Sequence, residues 1–394
     1  MPGSRFGDTQ FYFDWGNYAT MLKLIRTERD PKKKAALYAA FLLVVPAFSG
    51  VHAVCFALDP LVFPSLRRTE VKAPVFSVGH ARSGTTYLHR LMAEDSRFSY
   101  FLMWEMFFPS LLEKKILRGL LNLDRRLGGR VRRRLDEATE KALEDTSDMH
   151  STGLFAPEED DFVLTWSLAS GFWMVLFPYL DELDFYHLDR WPAAKRKRVM
   201  AFYRQCVRRQ LALNGAPTHL SKNPTFCGRV EALIETFPDA RFVVPVRNPH
   251  ETIPSLLKML QRTWEGLGAD EERINASLAV LAEQSYDSYE HPLEVLGAHR
   301  ETASIVVDYR DLVQEPGATL RGVYEALGLE VTPEMEEVFD AAGRGQGHET
   351  THRYSLEEFG LDPDAIQAGL APLFSQFNWI DEDSTEVEKV VADD

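Results

Sequence analysis

Hydrophobic and polar positions divide the 394-residue chain into an apolar beginning, a middle in which short apolar runs alternate with helical patterns, and a polar end. From Ala35 to Leu58 the stretch AALYAAFLLVVPAFSGVHAVCFAL carries no formal charge over 24 residues, enough to span a bilayer. Pro46, the Ser49-Gly50-Val51-His52 break and basic residues on both flanks (Lys32 to Lys34, then Arg67 and Arg68) argue instead for one or two helices. These would pack on the following domain or lie in a membrane interface, with a spanning helix as the alternative. Residues 113–134 are densely basic and residues 135–161 acidic, ending in PEEDD. They read as a pair of solvated helices whose charges offset, a membrane-facing basic helix being the sharper option. Phe162 to Leu180 is again uncharged and aromatic-rich, and is expected as a buried helix lining an apolar cavity.

Elsewhere the period changes from two to 3.6 and back. APVFSVG predicts a short buried strand and TTYLHRLMAED a helix. Ala193 to Gly215 predicts a helix of about twenty residues with a glycine stop. THLSKNP, RFVVPVR and ASIVVDY predict further strands, and GRVEALIETFPDA, NPHETIPSLLKML, Asp270 to His299 and TLRGVYEALGL predict helices. Strands alternating with helices imply an α/β fold with a central parallel sheet between two helical layers. The expected organisation is an apolar helical segment at 1–72, a catalytic domain at 73–380 with a helical insertion at about 105–215, and an acidic tail at 381–394.

In an open parallel sheet ligands bind beyond the carboxyl ends of the strands. After the first strand come His80, Arg82, Ser83, Gly84, Thr85 and Thr86. Lys222 follows THLS, Arg247 follows RFVVPV with Ser255 eight residues on, and Asp308 and Tyr309 follow SIVV. The glycine spacing in GHARSGTT is that of a phosphate loop, so the fold reads as P-loop-like, but Thr85 stands where a nucleotide triphosphatase places lysine. Three cations on one edge of a chain with net charge -15 suit a polyanionic ligand. The same net charge argues against nucleic acid as a partner. Three cysteines (Cys55, Cys206, Cys227), with no metal-ligand spacing, fit a reducing compartment and no resident metal. The first thirty residues mix charge with aromatics and do not read as a cleavable signal. The expected location is the cytoplasm or the cytoplasmic face of a membrane. Oligomeric state is left open, a homo-oligomer included.

With these residues in place the sequence resembles the sulfotransferase superfamily, in particular its bacterial-type group and, more distantly, the tyrosylprotein enzymes. GHARSGTTYLHRLM resembles the family's 5′-phosphosulfate loop and FPDARFVVPVRNPHETIPSLLKM its 3′-phosphate segment; HLSKNP, VVDYRDLVQEP, APEEDDFVL and HRYSLEEFGL extend the likeness over about residues 73–380. The resemblance implies 3′-phosphoadenosine 5′-phosphosulfate (PAPS) as co-substrate and metal-independent in-line transfer to a hydroxyl. It implies that Arg82, Ser83, Gly84, Thr85 and Thr86 hold the 5′-phosphate, and Arg247 and Ser255 the 3′-phosphate with help from Tyr309. It also implies that Lys222 stabilises the bridging oxygen, and places Glu105, in FLMWEMFF, where relatives carry a catalytic glutamate. Glu158, Glu159, Asp160 and His80 are rival bases. The apolar stretches suggest a lipid-like hydroxyl acceptor at a membrane surface. A nucleotide-dependent phosphotransferase and a catalytically silent, membrane-associated nucleotide-binding protein are the alternatives. The segment GRGQGHETTHRY, with Arg344, His352 and Arg353, is expected as a mobile loop.

Overall fold

The computed structural model describes residues 10–143, 153–343 and 355–379. The segment GRGQGHETTHRY falls almost wholly outside them, as does the acidic tail. Five strands form one parallel sheet: β1 (Val75–Ser77), β2 (Phe98–Ser99), β3 (Thr218–Lys222), β4 (Arg241–Val246) and β5 (Ser304–Asp308), in the order β2-β3-β1-β4-β5. Four of the five follow from the apolar runs. β2 is two residues long, pairs only with Thr218 and His219 at the sheet edge, and is too short to leave a periodic signal. In the centre Ser77 lies level with Lys222 on β3 and with Val243 on β4, while Val246 lies level with Asp308 on β5. The strand ends that carry Lys222, Arg247 and Tyr309 therefore open on the same side as the loop after β1.

Alternation along the strands divides the core into two layers. Phe76, Val78, Phe242, Val244 and Val246 pack with residues of helices Ala193–Asn214, Pro249–Gly266 and Glu271–Ala298. Val75, Leu220, Val243 and Val307 face the other way, against Leu88 and Met92 of helix Thr85–Met92 and Leu320, Val323 and Phe339 of the C-terminal helices. A left-handed glycine ends one long helix and an aspartate starts another. Gly215 closes Ala193–Asn214 at φ 73°, and the side chain of Asp270 accepts from the Arg273 N–H to start Glu271–Ala298.

One expectation is narrowed and another corrected. Of the one or two helices expected in the apolar N-terminal stretch the structure has one, running unbroken through Pro46 and Ser49–His52 from Pro31 to Val62, 32 residues. A wide π turn at Ala40–Val44, in which the Val45 N–H reaches back to the Ala40 carbonyl, opens the backbone where the proline ring would otherwise clash. Phe162–Leu180 is not one helix. It forms a 3-10 segment at Asp160–Ser167 and a single α turn at Trp173–Leu176. Between them Leu168 takes φ 58°, and Asp161 Oδ2 accepts from the Ser170 hydroxyl (2.7 Å) and the Phe172 N–H (3.2 Å), bonds that compete with helix continuation.

One stripe of the Pro31–Val62 helix (Phe41, Val45, Ser49, His52, Phe56 and Asp59) is buried against the domain. Ser49 Oγ donates to the Trp166 carbonyl at 2.8 Å, and His52 Nδ1 lies 2.7 Å from Glu113 Oε1. Asp59 is the anchor. Its fully buried carboxylate accepts from Ser110 Oγ (2.8 Å), from the Leu111 and Leu112 N–H groups (3.0 and 2.8 Å) and from Arg209 Nε (2.6 Å). It thus caps the helix Leu111–Arg126 and neutralises an arginine buried over the Phe56 ring. Asp59→Ala leaves Arg209 buried without its counter-charge and should lower unfolding free energy by about 3–5 kcal/mol, whereas Asp59→Ala with Arg209→Met should recover most of the loss. Urea unfolding of both variants measures the difference.

Candidate functional site

The site begins where β1 runs into a loop with no room for side chains at its two glycines. A Cβ on Gly79 would meet the Pro245 carbonyl oxygen at 2.4 Å, and one on Gly84, at φ 80°, would meet the Tyr309 ring at 2.6 Å. Arg82 also takes a left-handed conformation, φ 73°, which a residue with a Cβ adopts only under constraint. The loop thus turns tightly into helix Thr85–Met92, whose first N–H groups face the strand ends.

Three side-chain contacts tie this loop to the neighbouring strand ends. Arg82 Nε donates to Ser255 Oγ at 3.1 Å, within helix Pro249–Gly266. The buried Lys222, last residue of β3, places Nζ 3.4 Å from Thr86 Oγ1, 3.1 Å from Glu159 Oε1 and 3.7 Å from Glu158 Oε2. The guanidinium of Arg247, just past β4, lies 4.5 Å from the centre of the Tyr309 ring, which itself packs on Gly84. Its Nε donates to Glu251 Oε2 at 2.8 Å. Behind it the Tyr289 hydroxyl donates to the Arg247 carbonyl at 2.7 Å and lies 2.5 Å from Thr252 Oγ1. Arg82, Gly84, Thr86, Lys222, Arg247, Ser255 and Tyr309 are therefore one constellation. Ser83 and Thr85 are buried within the same turn.

The four acids of PEEDD were expected at a solvated helix start and instead divide by task. Asp160 is buried, accepting from His219 Nε2 (2.7 Å), Tyr203 Oη (2.6 Å) and Ser221 Oγ (2.8 Å), and from Asn223 Nδ2. Asp161 pairs with the buried Arg229 at 2.7 Å. Both are consumed by structure. Glu158 and Glu159, immediately before them, are left facing Lys222. Burial raises the Glu159 carboxyl above the ordinary range and the charge of Glu158 adds to that, outweighing Lys222. Lys222 is lowered by burial but raised more by Glu159 and Glu158, so it stays protonated.

Glu105 is bonded away from the loop after β1. Its fully buried carboxylate accepts from Arg118 Nη2 (2.6 Å), Gln210 Nε2 (2.6 Å) and the Leu102 N–H (3.1 Å), closing the turn at Met103–Met106. None of its hydrogen bonds reaches residues 79–86 or Lys222. Polar partners occupy both of its oxygens. His80 is buried against Tyr289, ring centres 5.0 Å apart, with Nδ1 2.6 Å from the Ala81 carbonyl. Burial lowers its pKa to about 4, so its imidazole is a weak base.

Beside the Lys222–Glu159 pair opens a cavity of about 130 Å³ walled by Ala81, Glu159, Phe172, Leu256, Met259 and Ser288 among others. Phe172 belongs to the uncharged stretch, so the expected apolar lining is present although the expected helix is not. The arrangement provides donors that suit an anion at two separated points and, in the wall of a cavity, a carboxylate paired with a lysine outside it.

Residues 74–333 match the sulfotransferase family model. The omega-hydroxy-beta-dihydromenaquinone-9 sulfotransferases Stf3 of Mycobacterium bovis and Mycobacterium tuberculosis are each 27% identical to this chain over 280 residues, 65% of its length and 63% of theirs. The match thus spans under two thirds of those relatives. Among solved structures, sulfotransferase STF9 from Mycobacterium avium shares the fold with TM-score 0.68 at 20% identity, covering 93% of this chain and 92% of that one. Sulfotransferase STF1 from Mycobacterium tuberculosis H37Rv does so with TM-score 0.62 at 20% identity, covering 90% and 97%. The matched segment runs from the residue before β1 through all five strands and every strand-end residue described above, and the chain belongs to the sulfotransferase family.

Proposed function

We propose that this chain transfers the sulfonate of PAPS to a hydroxyl of a lipid-like acceptor, with Glu159 as the base. The observation that carries the reading is Lys222, which bonds Thr86 of the loop on one side and Glu159 on the other, while Glu159 also walls the apolar cavity. A group held by the loop and a molecule lodged in the cavity would meet at that lysine.

The donor set fits PAPS. Amides and hydroxyls from Ser83 to Thr86, with Arg82, suit the 5′-phosphate end, and Arg247 and Ser255 suit a second phosphate. Tyr309 would keep the Arg247 fork oriented through its ring. When bound, PAPS supplies the sulfonate and departs as 3′-phosphoadenosine 5′-phosphate (PAP). The protein's own contribution is electrostatic and acid–base. Lys222 faces the charge that grows on the departing oxygen, and fixed amides and cations share it without reorganising. Glu159 takes the proton of the acceptor hydroxyl as its oxygen bonds to sulfur. A carboxylate held above the ordinary range is a stronger base than a solvated one.

The acceptor class rests on the cavity and on the Stf3 relatives, which are named for an omega-hydroxy-beta-dihydromenaquinone-9. We place the reaction in the cytoplasm or at the cytoplasmic face of a membrane, in keeping with three unpaired cysteines.

Glu159→Gln should lower kcat by about 10²- to 10⁴-fold, the range for loss of a positioned base, while leaving PAP affinity unchanged. In the native enzyme kcat should fall on the acid side as Glu159 protonates, at a pH above the ordinary carboxylate range, and that limb should vanish in Glu159→Gln. Normal turnover in Glu159→Gln together with loss in a folded Glu105→Gln would move the base to Glu105. Arg82→Ala and Arg247→Ala should each weaken PAP binding by about 1.5–3 kcal/mol in titration calorimetry. Transfer from labelled PAPS to hydroxylated lipids should persist in EDTA; turnover with ATP and magnesium instead would overturn the donor assignment.

A further inference from the structure

We propose that helix Pro31–Val62 and the helical hairpin 111–143 form a docking surface for a bilayer carrying anionic phospholipid. The proposal adds a membrane partner to the lipid-acceptor reading and rests on that reading only for its purpose, since vesicle binding is measured without turnover.

The observation is an inverted amphipathic pattern. Along Pro31–Val62 one stripe is buried in the domain, yet the outward positions are also apolar: Leu42, Leu43, Val51, Val54, Leu58 and Leu61 are exposed, Leu43 to 68% and Leu61 to 67%. No charge interrupts residues 35–58, so the outward side has no polar face. The buried stripe is bonded to the domain from the Tyr18 hydroxyl on the Phe41 carbonyl (2.8 Å) to Asp59 on Ser110 (2.8 Å). The helix therefore lies along the domain instead of leaving it to cross a bilayer alone.

The hairpin repeats the pattern. On Leu111–Arg126 and Arg130–Leu143, Ile116, Leu120, Leu123, Leu127, Val131 and Leu135 are exposed, Leu127 to 74%. The first four recur at helical spacing and form one row. Exposed cations surround them: Lys115, Arg125, Arg126, Arg130, Arg133 and Arg134. Asp124, the acid at the turn, is used internally, accepting from the Val131 and Arg132 N–H groups at 3.0 Å each. Both apolar rows start from the Asp59 junction, where one helix ends and the other begins.

Charge decides the occupant. A second copy of the chain would bring the same arginines against its own, whereas an anionic leaflet complements them and takes the leucines into its interface. The basic rim stands out on a chain whose net charge is -15.

The test uses the full chain and flotation with vesicles of phosphatidylcholine alone or mixed with phosphatidylglycerol. Binding should require phosphatidylglycerol and weaken with salt. The variant Leu120→Glu/Leu123→Glu/Leu127→Glu changes only exposed side chains and should bind such vesicles about tenfold more weakly or less, with thermal unfolding and PAP affinity unchanged. Equal binding of variant and native protein, or no preference for anionic vesicles, would overturn the proposal. So would a dimer in sedimentation that the same variant dissociates, or resistance to carbonate extraction, which would mean a spanning helix. Transfer to a water-soluble alcohol or phenol without vesicles reads the chemistry separately: intact transfer with failed flotation overturns docking alone, and failed transfer with intact flotation overturns the proposed chemistry alone.

Discussion

The carboxylate of Asp160 is the constraint on which the site depends. Four donors from helix Ala193–Asn214 and from the end of β3 converge on its two oxygens (Tyr203, His219, Ser221 and Asn223) inside the protein. A buried carboxylate is tolerated there because both of its oxygens are engaged by donors. With Asp160 fixed and Asp161 tied to Arg229, the two preceding glutamates have one direction left, toward Lys222. Removing the Asp160 carboxylate would leave a histidine and a tyrosine without their shared partner and release the segment that presents Glu159.

The loop side of the site is built on the opposite logic. Arg247 there is held by an exposed glutamate and an aromatic face. Interactions of that kind orient a guanidinium without neutralising it strongly, because solvent screens the exposed member. Rigidity comes instead from backbone crowding, where Gly79 lies against Pro245 and Gly84 against Tyr309. The loop's shape is fixed by contacts that no ligand has to displace, whereas the Arg247–Glu251 contact is one that a ligand can.

How much of this was legible in the sequence follows from the range of the forces involved. The α/β alternation, the loop after β1 and the residues at strand ends are local signals, and Arg82, Lys222, Arg247 and Tyr309 come together because a parallel sheet brings its strand ends to one edge. β2 was not legible because two residues carry no period. The continuity through Pro46 was hidden because a π turn leaves no residue signature. Glu105, among aromatics, and Glu159, in an acidic run, were rival bases in the sequence. What separates them is a set of partners far along the chain: Arg118 and Gln210 for one, Lys222 for the other. Only the buried demands of Asp160 and Asp161, met by residues some sixty positions downstream, show why that acidic run is not a solvated one.

The pair between Arg247 and Glu251 has a consequence for selectivity. Glu251 sits four residues on, one turn into the helix, with half of its side chain in solvent, and it occupies the guanidinium edge that the proposed 3′-phosphate would use. A nucleotide without a phosphate at that position has nothing to put in place of the glutamate and gains no contact at Arg247. A dianionic phosphate carries twice the charge of the carboxylate and can replace it while the glutamate swings into water. On this assignment the self-made ion pair acts as a weak built-in competitor that tilts binding toward nucleotides carrying the second phosphate.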